Sequence, residues 1–225
     1  MQKLLSLTAS VALCFFTASA AMADTVDDGI HSIQNEWARI KYQVPDKDTQ
    51  LKDIAKLEEN AAKLAATFPD KPEPKIWQAI VLSTEAGIIN GISGLPKLKT
   101  AKELLETSIK INPNALDGSA QTSLGSLYYQ VPGWPISFGN NKKAGEYLQA
   151  ALQINPDGID SNFFYGDFLV REGQYDKAVP VLEHALRAAP RLGRELADAG
   201  RRQEIKAAIS KAQKELGSSK KSTLN

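Results

Sequence analysis

The chain is poor in the side chains that enzymes use for covalent and metal chemistry. Cys14 is the only cysteine, and His31 and His184 are the only histidines, 153 residues apart. A single cysteine cannot form an intramolecular disulfide, and no spacing of cysteine, histidine and carboxylate residues matches a metal site. Adjacent carboxylates such as Glu58 and Glu59 fall on presumed solvent faces, whereas a catalytic acid and base must converge. We therefore predict no catalytic residue, no metal and no cofactor.

Long hydrophobic runs are also missing, and a membrane-spanning helix needs about 20 predominantly apolar residues. Only the stretch Leu4–Phe16 near the N-terminus is largely apolar. It is followed by Ala21, Met22 and Ala23, whose small-x-small pattern is typical of a cleavage site before Asp24. Residues 1–23 are therefore predicted to be a signal peptide. We expect a periplasmic protein that does not span the membrane.

Neither sign of charge predominates in the chain as a whole, since it has 27 Lys and Arg residues and 26 Asp and Glu residues. The charges are nevertheless distributed unevenly along the chain, because the residues from Arg187 onward include ten basic and only four acidic ones. A basic C-terminal part could meet an anionic partner, but a solvated capping helix or helices over residues 192–216 is the favoured interpretation. Nucleic acid is not an expected partner. Residues 217–225, rich in serine and lysine, are predicted to be disordered.

What the chain does contain is a spacing that recurs. Each copy has three small or apolar residues at steps of four and three, followed five residues later by a proline. The four copies are Ala178, Leu182, Ala185 and Pro190; Ala144, Leu148, Ala151 and Pro156; Ala101, Leu105, Ser108 and Pro113; and, less clearly, Leu57, Ala61, Leu64 and Pro69. Steps of four and three place the first three residues on one helix face, and the proline prevents the helix from continuing. The last two copies lie 34 residues apart, a period typical of helical hairpins.

The repeats predict an all-α fold, a helical-hairpin solenoid of about nine to ten helices forming an α-α superhelix. We divide the chain into a degenerate N-terminal helical pair over residues 24–70, three repeats over 71–191 and the C-terminal cap. The predicted helices are Val26–Tyr42, Lys47–Thr67, Glu73–Ala86, Pro96–Ile111, Ala115–Tyr129, Asn141–Ile154, Gly158–Arg171, Tyr175–Ala189 and Arg194–Leu216.

The last repeat resembles the tetratricopeptide repeat. Its Tyr165, Gly166, Leu169, Gly173 and Tyr175 stand at the positions of that repeat's signature, ahead of the Ala178 copy described above. The preceding repeat has Leu124, Gly125 and Tyr128 at matching positions. Glycine is unfavourable inside a helix, so its recurrence predicts that the two helices of each repeat approach closely there.

Two repeats carry extra residues between their first and second helices. These insertion loops, 87–95 and 130–140, should project from the same edge of a stacked array. They are unusually apolar and include Trp134, Ile136 and Phe138. One interpretation is that they pack on each other or fill the groove of their own superhelix, and the other is that they receive a ligand or a partner subunit.

The concave face of such an array is the second candidate site, and it is lined by the first helix of each repeat. The expected lining residues are Gln78, Glu85, Ser119, Thr122, Ser126, Tyr129, Asp160, Phe163 and Asp167. This mixture of polar and aromatic groups favours a small polar ligand or a helix of a partner. Alternatively, the groove is filled by the protein's own loops or last helix. The predicted binding residues are Gln78, Thr122, Ser126, Tyr129, Trp134, Ile136, Phe138, Phe163 and Asp167.

The connected stretch Asn112–Phe168, together with Gly193–Ile205, resembles the TRAP transporter T-component (TatT) family. The likeness rests on residues such as Leu116, Asp117 and Gly118 and on the loop around Trp134. The resemblance implies a periplasmic all-helical protein with degenerate repeats, in some members a trimer with a hydrophobic ligand tunnel through each subunit. It also implies association with the substrate-binding protein of the transporter, which moves organic acids or hydrophobic solutes. The alternative function is a protein interaction scaffold in envelope assembly that has no small ligand.

Overall fold

The computed structural model describes residues 14–222, with side chains described between residues 26 and 218. This part of the chain folds into helices and contains no strand. Two short 3-10 turns, Ile92–Gly94 and Ala115–Gly118, precede α4 and α5. The helices are α1 Cys14–Gln43, α2 Lys47–Thr67, α3 Pro72–Ile89, α4 Leu95–Ile111, α5 Ser119–Gln130, α6 Asn141–Ile154, α7 Ile159–Arg171, α8 Tyr175–Leu186 and α9 Glu195–Ser222. The predicted all-α solenoid is confirmed.

The largest differences from the predicted bounds are at the two ends. Helix α1 begins at Cys14, inside the predicted signal peptide, whose residues 1–13 lie outside the described part. Helix α9 continues to Ser222 instead of ending at Leu216. Residues 217–222 are therefore helical where disorder was expected, because a single glycine at position 217 costs a helix only about 1 kcal/mol; residues 223–225 lie outside the described part. No described helix is both long and apolar enough to cross a membrane.

Local sequence explains where the helices start and stop. Asp46 caps α2 by accepting a hydrogen bond from the Thr49 backbone N–H at 2.8 Å, and Asn140 caps α6 by accepting one from Lys143 N–H at 2.9 Å. Pro72 occupies the first position of α3, where its missing N–H is not needed. The repeated prolines, including Pro156 and Pro190, all follow the end of a second helix.

The recurring residues form the core, as the spacing predicts. The Ala, Leu and Ser positions of the three copies from Ala101 onward are fully buried. A Cβ added at Gly166 would lie 2.6 Å from Leu182 Cγ, and one at Gly125 would lie 2.7 Å from Leu148 Cγ. Both glycines therefore allow the two helices of a repeat to pack against a leucine at a distance that no other residue permits.

Helix α9 returns to the start of the chain and packs against α1 as well as α7 and α8. At this contact, Gly200 faces the ring of Tyr42, where a Cβ would collide with the ring. Glu204 accepts a hydrogen bond from the Tyr42 hydroxyl at 3.5 Å and pairs with Lys41 Nζ at 2.9 Å. We call this α1–α9 contact the closure seam, because it joins the first and last helices across the concave side.

Candidate functional site: a cavity on the concave face

The concave side contains a cavity of about 1140 Å³. It is bordered by α1, by the first helix of each repeat (α3, α5 and α7) and by α9. The closure seam lies at one side, since Lys41, Tyr42 and Glu204 belong both to the seam and to the cavity lining. The concave surface therefore contains a cavity that five helices border.

One side of the cavity is apolar, and we call it the apolar wall. Its members are Trp37, Trp77, Ile80, Ile88 and Leu127. The rings of Trp37 and Trp77 meet edge to face at a centroid distance of 5.9 Å, an arrangement that aromatic pairs favour. Trp37 Nε1 donates a hydrogen bond to the Thr84 hydroxyl at 2.8 Å. The indole ring is thereby held in place, with its polar atom satisfied.

A second set of lining residues is charged, and we call it the charged wall. Its members are Lys41, Asp160, Arg191, Arg194, Arg201 and Glu204. Asp160 Oδ1 accepts a hydrogen bond from Arg201 Nε at 2.7 Å, and Asp160 Oδ2 accepts one from Arg191 Nη1 at 2.8 Å. Arg191 also donates to Asp198 at 2.6 Å, and Arg201 pairs with Glu204 at 2.5 Å. The network connects α1, α7 and α9 through charge-assisted hydrogen bonds.

Burial and neighbouring charges shift the pKa values of this wall. Burial alone raises the pKa of Asp160, but the nearby Arg201 and Arg191 outweigh it and hold the pKa well below its usual range. Burial lowers the pKa of Lys41, and the charge of Arg201 lowers it further. Arg201 is also stacked over Phe163, with its guanidinium carbon 4.4 Å from the ring centroid. Asp160 is thus ionised and central to the wall.

Strained backbone borders the same cavity. Leu116 (φ 48°, ψ 47°) and Asp117 (φ 54°, ψ 42°) both have left-handed conformations and both line the cavity. Such a conformation costs a non-glycine residue about 1 to 2 kcal/mol. The following Gly118 has φ 75°, which glycine adopts without this cost. Strain of this kind is concentrated at ligand sites and switch regions in proteins.

The structure brings several of the predicted binding residues together in this cavity. Thr122, Ser126, Phe163 and Asp167 line it. The other expected concave residues that do so are Ser119 and Asp160.

Gln78, Glu85 and Tyr129 do not line the cavity, so their predicted positions are wrong. Gln78 Nε2 donates to Glu58 on α2 at 3.4 Å, and Glu85 pairs with Lys97 on α4. Each helical residue is rotated by about 100° from the next. Gln78 stands at the same repeat position as Thr122 and Phe163, so α3 turns a different face to the cavity than α5 and α7 do, and Trp77 faces it instead.

Tyr129 is rotated toward α7 instead. Its hydroxyl donates to Asp167 Oδ2 at 2.7 Å, and its ring lies 5.0 Å from the Arg171 guanidinium carbon. Asp167 does line the cavity, and Tyr129 holds its carboxylate in place through this hydrogen bond from outside the cavity.

The two insertion loops border the same cavity, as expected of loops that project from a shared edge. Ile92 and Leu95 belong to the lining from the first loop, and Val131 and Pro132 from the second. The loops do not fill the cavity. The first loop's Ile92 remains 75% exposed.

The three apolar residues predicted to bind through the second loop have different environments. Trp134 is 90% exposed and Ile136 60% exposed, and neither lines the cavity. Phe138 instead packs edge to face on Tyr128 at 5.7 Å. Trp134 and Ile136 therefore face outward from the rim, whereas Phe138 anchors the loop to its own repeat.

The contributions of α1 and α9 were not predicted. Trp37 and Lys41 come from α1, and Arg194 and Arg201 from α9 or the residue before it. The available signal was the excess of basic residues after Arg187, which we assigned to a solvated cap. Several of these cations instead turn inward and pair with the carboxylates of the cavity.

With this geometry established, comparison with known proteins identifies the repeats. Residues 136–213 match the family described as tetratricopeptide repeat. This part of the chain is therefore similar to the tetratricopeptide repeat. A thermophilic tetratricopeptide-repeat protein of Thermus thermophilus superposes with a TM-score of 0.54 at 17% identity, over 86% of this chain and 95% of that one. The crystal structure of MamA gives a TM-score of 0.44 at 19% identity, over 80% of this chain and 98% of that one.

A curated relative matches this chain over a limited part of its own length. The Vi polysaccharide export protein VexE of Salmonella typhi is 36% identical over 92 residues. The match covers 40% of this chain and 14% of that protein. The similarity thus concerns a small part of the relative.

Proposed function

We propose that this protein is a non-catalytic binding protein that holds a small organic molecule in the concave cavity. The observation that carries the proposal is the closure seam, which brings Gly200 of α9 against Tyr42 of α1. A tetratricopeptide array with an open groove suits an extended partner segment, whereas a cavity bounded by five helices suits a compact ligand. Its volume of about 1140 Å³ slightly exceeds that of most ligand sites, which are about 300 to 1000 Å³.

Two further observations support a ligand site. The cavity retains the strained residues Leu116 and Asp117, and its lining combines an apolar wall with a charged wall that meets it where Arg194 lies over Trp77. The resemblance to the TatT family supports a role as a periplasmic accessory of a TRAP-type transporter. In that role the protein associates with the transporter's substrate-binding protein and assembles as a trimer. The pattern of residues 1–23 supports export with cleavage before Asp24.

The ligand proposal is tested by blocking the cavity. Ser123 lines the cavity, so Ser123→Trp should fill part of it, whereas Thr107→Trp places the same side chain on the exposed surface of α4. Native mass spectrometry should detect a small molecule bound to the protein purified from its own periplasm and to Thr107→Trp, but not to Ser123→Trp. An unliganded parent protein, or equal occupancy in both variants, would contradict the proposal. The measured mass also tests whether the mature chain begins at Asp24.

A second candidate function is a scaffold that binds a protein partner in envelope assembly. The tetratricopeptide fold suggests protein interaction, and the exposed Trp134 and Ile136 favour a contact at the rim of the insertion loops. The partial match to a polysaccharide export protein supports the same setting. Site-specific photocrosslinking from position 136 in the periplasm should trap one defined partner. A scaffold role fails if position 136 traps nothing while the protein retains a ligand.

A further inference from the structure

Arg194 is the one member of the charged wall whose side chain lacks an ion-pair partner among the described residues. Its Nε is buried without a hydrogen bond, and no carboxylate forms an ion pair with it, whereas Arg191 and Arg201 each have two. Its guanidinium carbon lies 5.1 Å from the ring centroid of Trp77 on the apolar wall. Arg194 therefore presents an unneutralised cation at the junction of the two walls.

The surrounding charges do not supply the missing anion. The charges that act on Arg194 are Arg191, Asp160, Asp198 and Arg201, and both carboxylates are already bonded to other arginines. Three further acids outside the charged wall line the cavity, and none of them pairs with Arg194. Asp157 pairs with His184, and Asp167 pairs with Tyr129 and Arg171. Asp117 is exposed. Burial, and then the charge of Arg191, lower the pKa of Arg194. A bound anion would remove this electrostatic cost.

We infer that the cavity binds an organic monoanion with an apolar body, its carboxylate held by Arg194 and its body lying along the apolar wall. A planar guanidinium pairs with a carboxylate through two parallel hydrogen bonds. A single charge is expected because Arg194 is the one cation of the charged wall without a carboxylate partner among the described residues, whereas Lys41, Arg191 and Arg201 are paired. This inference rests on the proposed function, since it names the ligand class for the same cavity.

The apolar wall indicates the size of the body. From Trp77, beside Arg194, the wall continues along α3 through Ile80 to Ile88. The 11 helical steps from Trp77 to Ile88 span about 16 Å and end where the insertion loops border the cavity. An unbranched apolar chain of medium length therefore suits the site, whereas a short acid such as acetate would leave the wall unused.

The test is calorimetric titration with octanoate and with 1-octanol, which has the same chain length but no charge. We expect octanoate to bind Arg194→Gln at least tenfold more weakly than the parent protein, with 1-octanol binding unchanged. Arg194→Lys should retain part of the affinity, because the charge remains while the bidentate geometry is lost. The matched control is Arg187→Gln, which removes an exposed arginine outside the cavity and should bind octanoate like the parent.

The outcomes separate the two proposals. If Arg194→Gln and the parent bind octanoate equally, the anchor is wrong and the cavity proposal stands. If 1-octanol binds and octanoate does not, the monoanion class is overturned while a neutral apolar ligand remains. If neither probe binds the parent, the result counts against both. Circular dichroism and a melting curve establish that each variant is folded. If Arg194→Gln does not fold, the octanoate affinity of Arg194→Lys relative to the parent tests the anchor instead.

Discussion

The seam between α7 and α8 and the closure seam between α1 and α9 both use a glycine, but their surroundings differ. Gly166 faces Leu182, which is fully buried among apolar residues. Gly200 faces Tyr42 beside the ion pairs of Lys41 and Glu204. The first seam is an apolar contact that recurs at Gly125, whereas the second is polar and occurs once. The repeats should therefore resist changes of pH and salt that weaken the closure of the cavity.

The largest effect is expected from overpacking the repeat seam. Gly166→Leu would place a side chain where Leu182 Cγ is 2.6 Å from the Cβ position, and we expect a loss of about 1 to 3 kcal/mol in the free energy of unfolding. Urea titration followed by circular dichroism measures it. The control is Gly87→Leu, since a Cβ at Gly87 meets nothing within 4 Å. Unchanged stability in Gly166→Leu would refute the assigned repeat register.

The second effect concerns the charge at the centre of the network. Asp160→Asn should destabilise the protein by about 1 to 2 kcal/mol at pH 7, because Arg191 and Arg201 lose a charged partner. The folded pKa of Asp160 is lowered, so its contribution is present above the unfolded value of about 3.9 and is lost as pH falls toward the folded pKa. Urea titrations at pH 7 and pH 3 should show the difference between parent and variant shrinking at pH 3. A difference independent of pH would contradict this assignment.

A third, smaller effect is expected at the closure seam. Gly200→Leu would collide with the Tyr42 ring, but α9 can move away from α1 because the charged groups there can return to water. We expect a cost of about 1 kcal/mol, together with a larger radius of gyration in small-angle X-ray scattering. Gly166→Leu should lose stability without this expansion. If Gly200→Leu remains as compact as the parent, the contact between α1 and α9 does not close the cavity.

The repeat seams were predictable from the sequence because they are local and recur. Leu148 and Leu182 occupy the same position in the recurring spacing, and the partner glycine precedes each in the first helix of the same repeat. Spacing alone therefore predicts which residues are buried. The signal weakens on α3, where Val81 occupies the position of the glycine. The register carried over to α3 selects Gln78, but this helix turns Trp77 to the cavity instead, and a shared repeat position does not predict that rotation.

The closure seam could not be predicted in the same way. Tyr42 and Glu204 are separated by 162 residues, and no repeated pattern connects them. The basic residues after Arg187 are compatible with a solvated cap or with an inward-facing wall, and composition does not distinguish the two. The curvature of the stacked repeats decides between these two alternatives, because it brings α9 back to α1. The charged half of the candidate site depends on this long-range contact.

The smallest effect on stability is expected from the outward face of the insertion loops. Trp134 is 90% exposed, so Trp134→Ala should change the free energy of unfolding by no more than about 0.5 kcal/mol. Phe138→Ala, in the same loop, is the matched control and should cost more because Phe138 packs on Tyr128. Urea titration of the two variants tests this order. If Trp134→Ala proves as costly as Phe138→Ala, the indole packs within the protein and Trp134 is not part of a surface available to a partner.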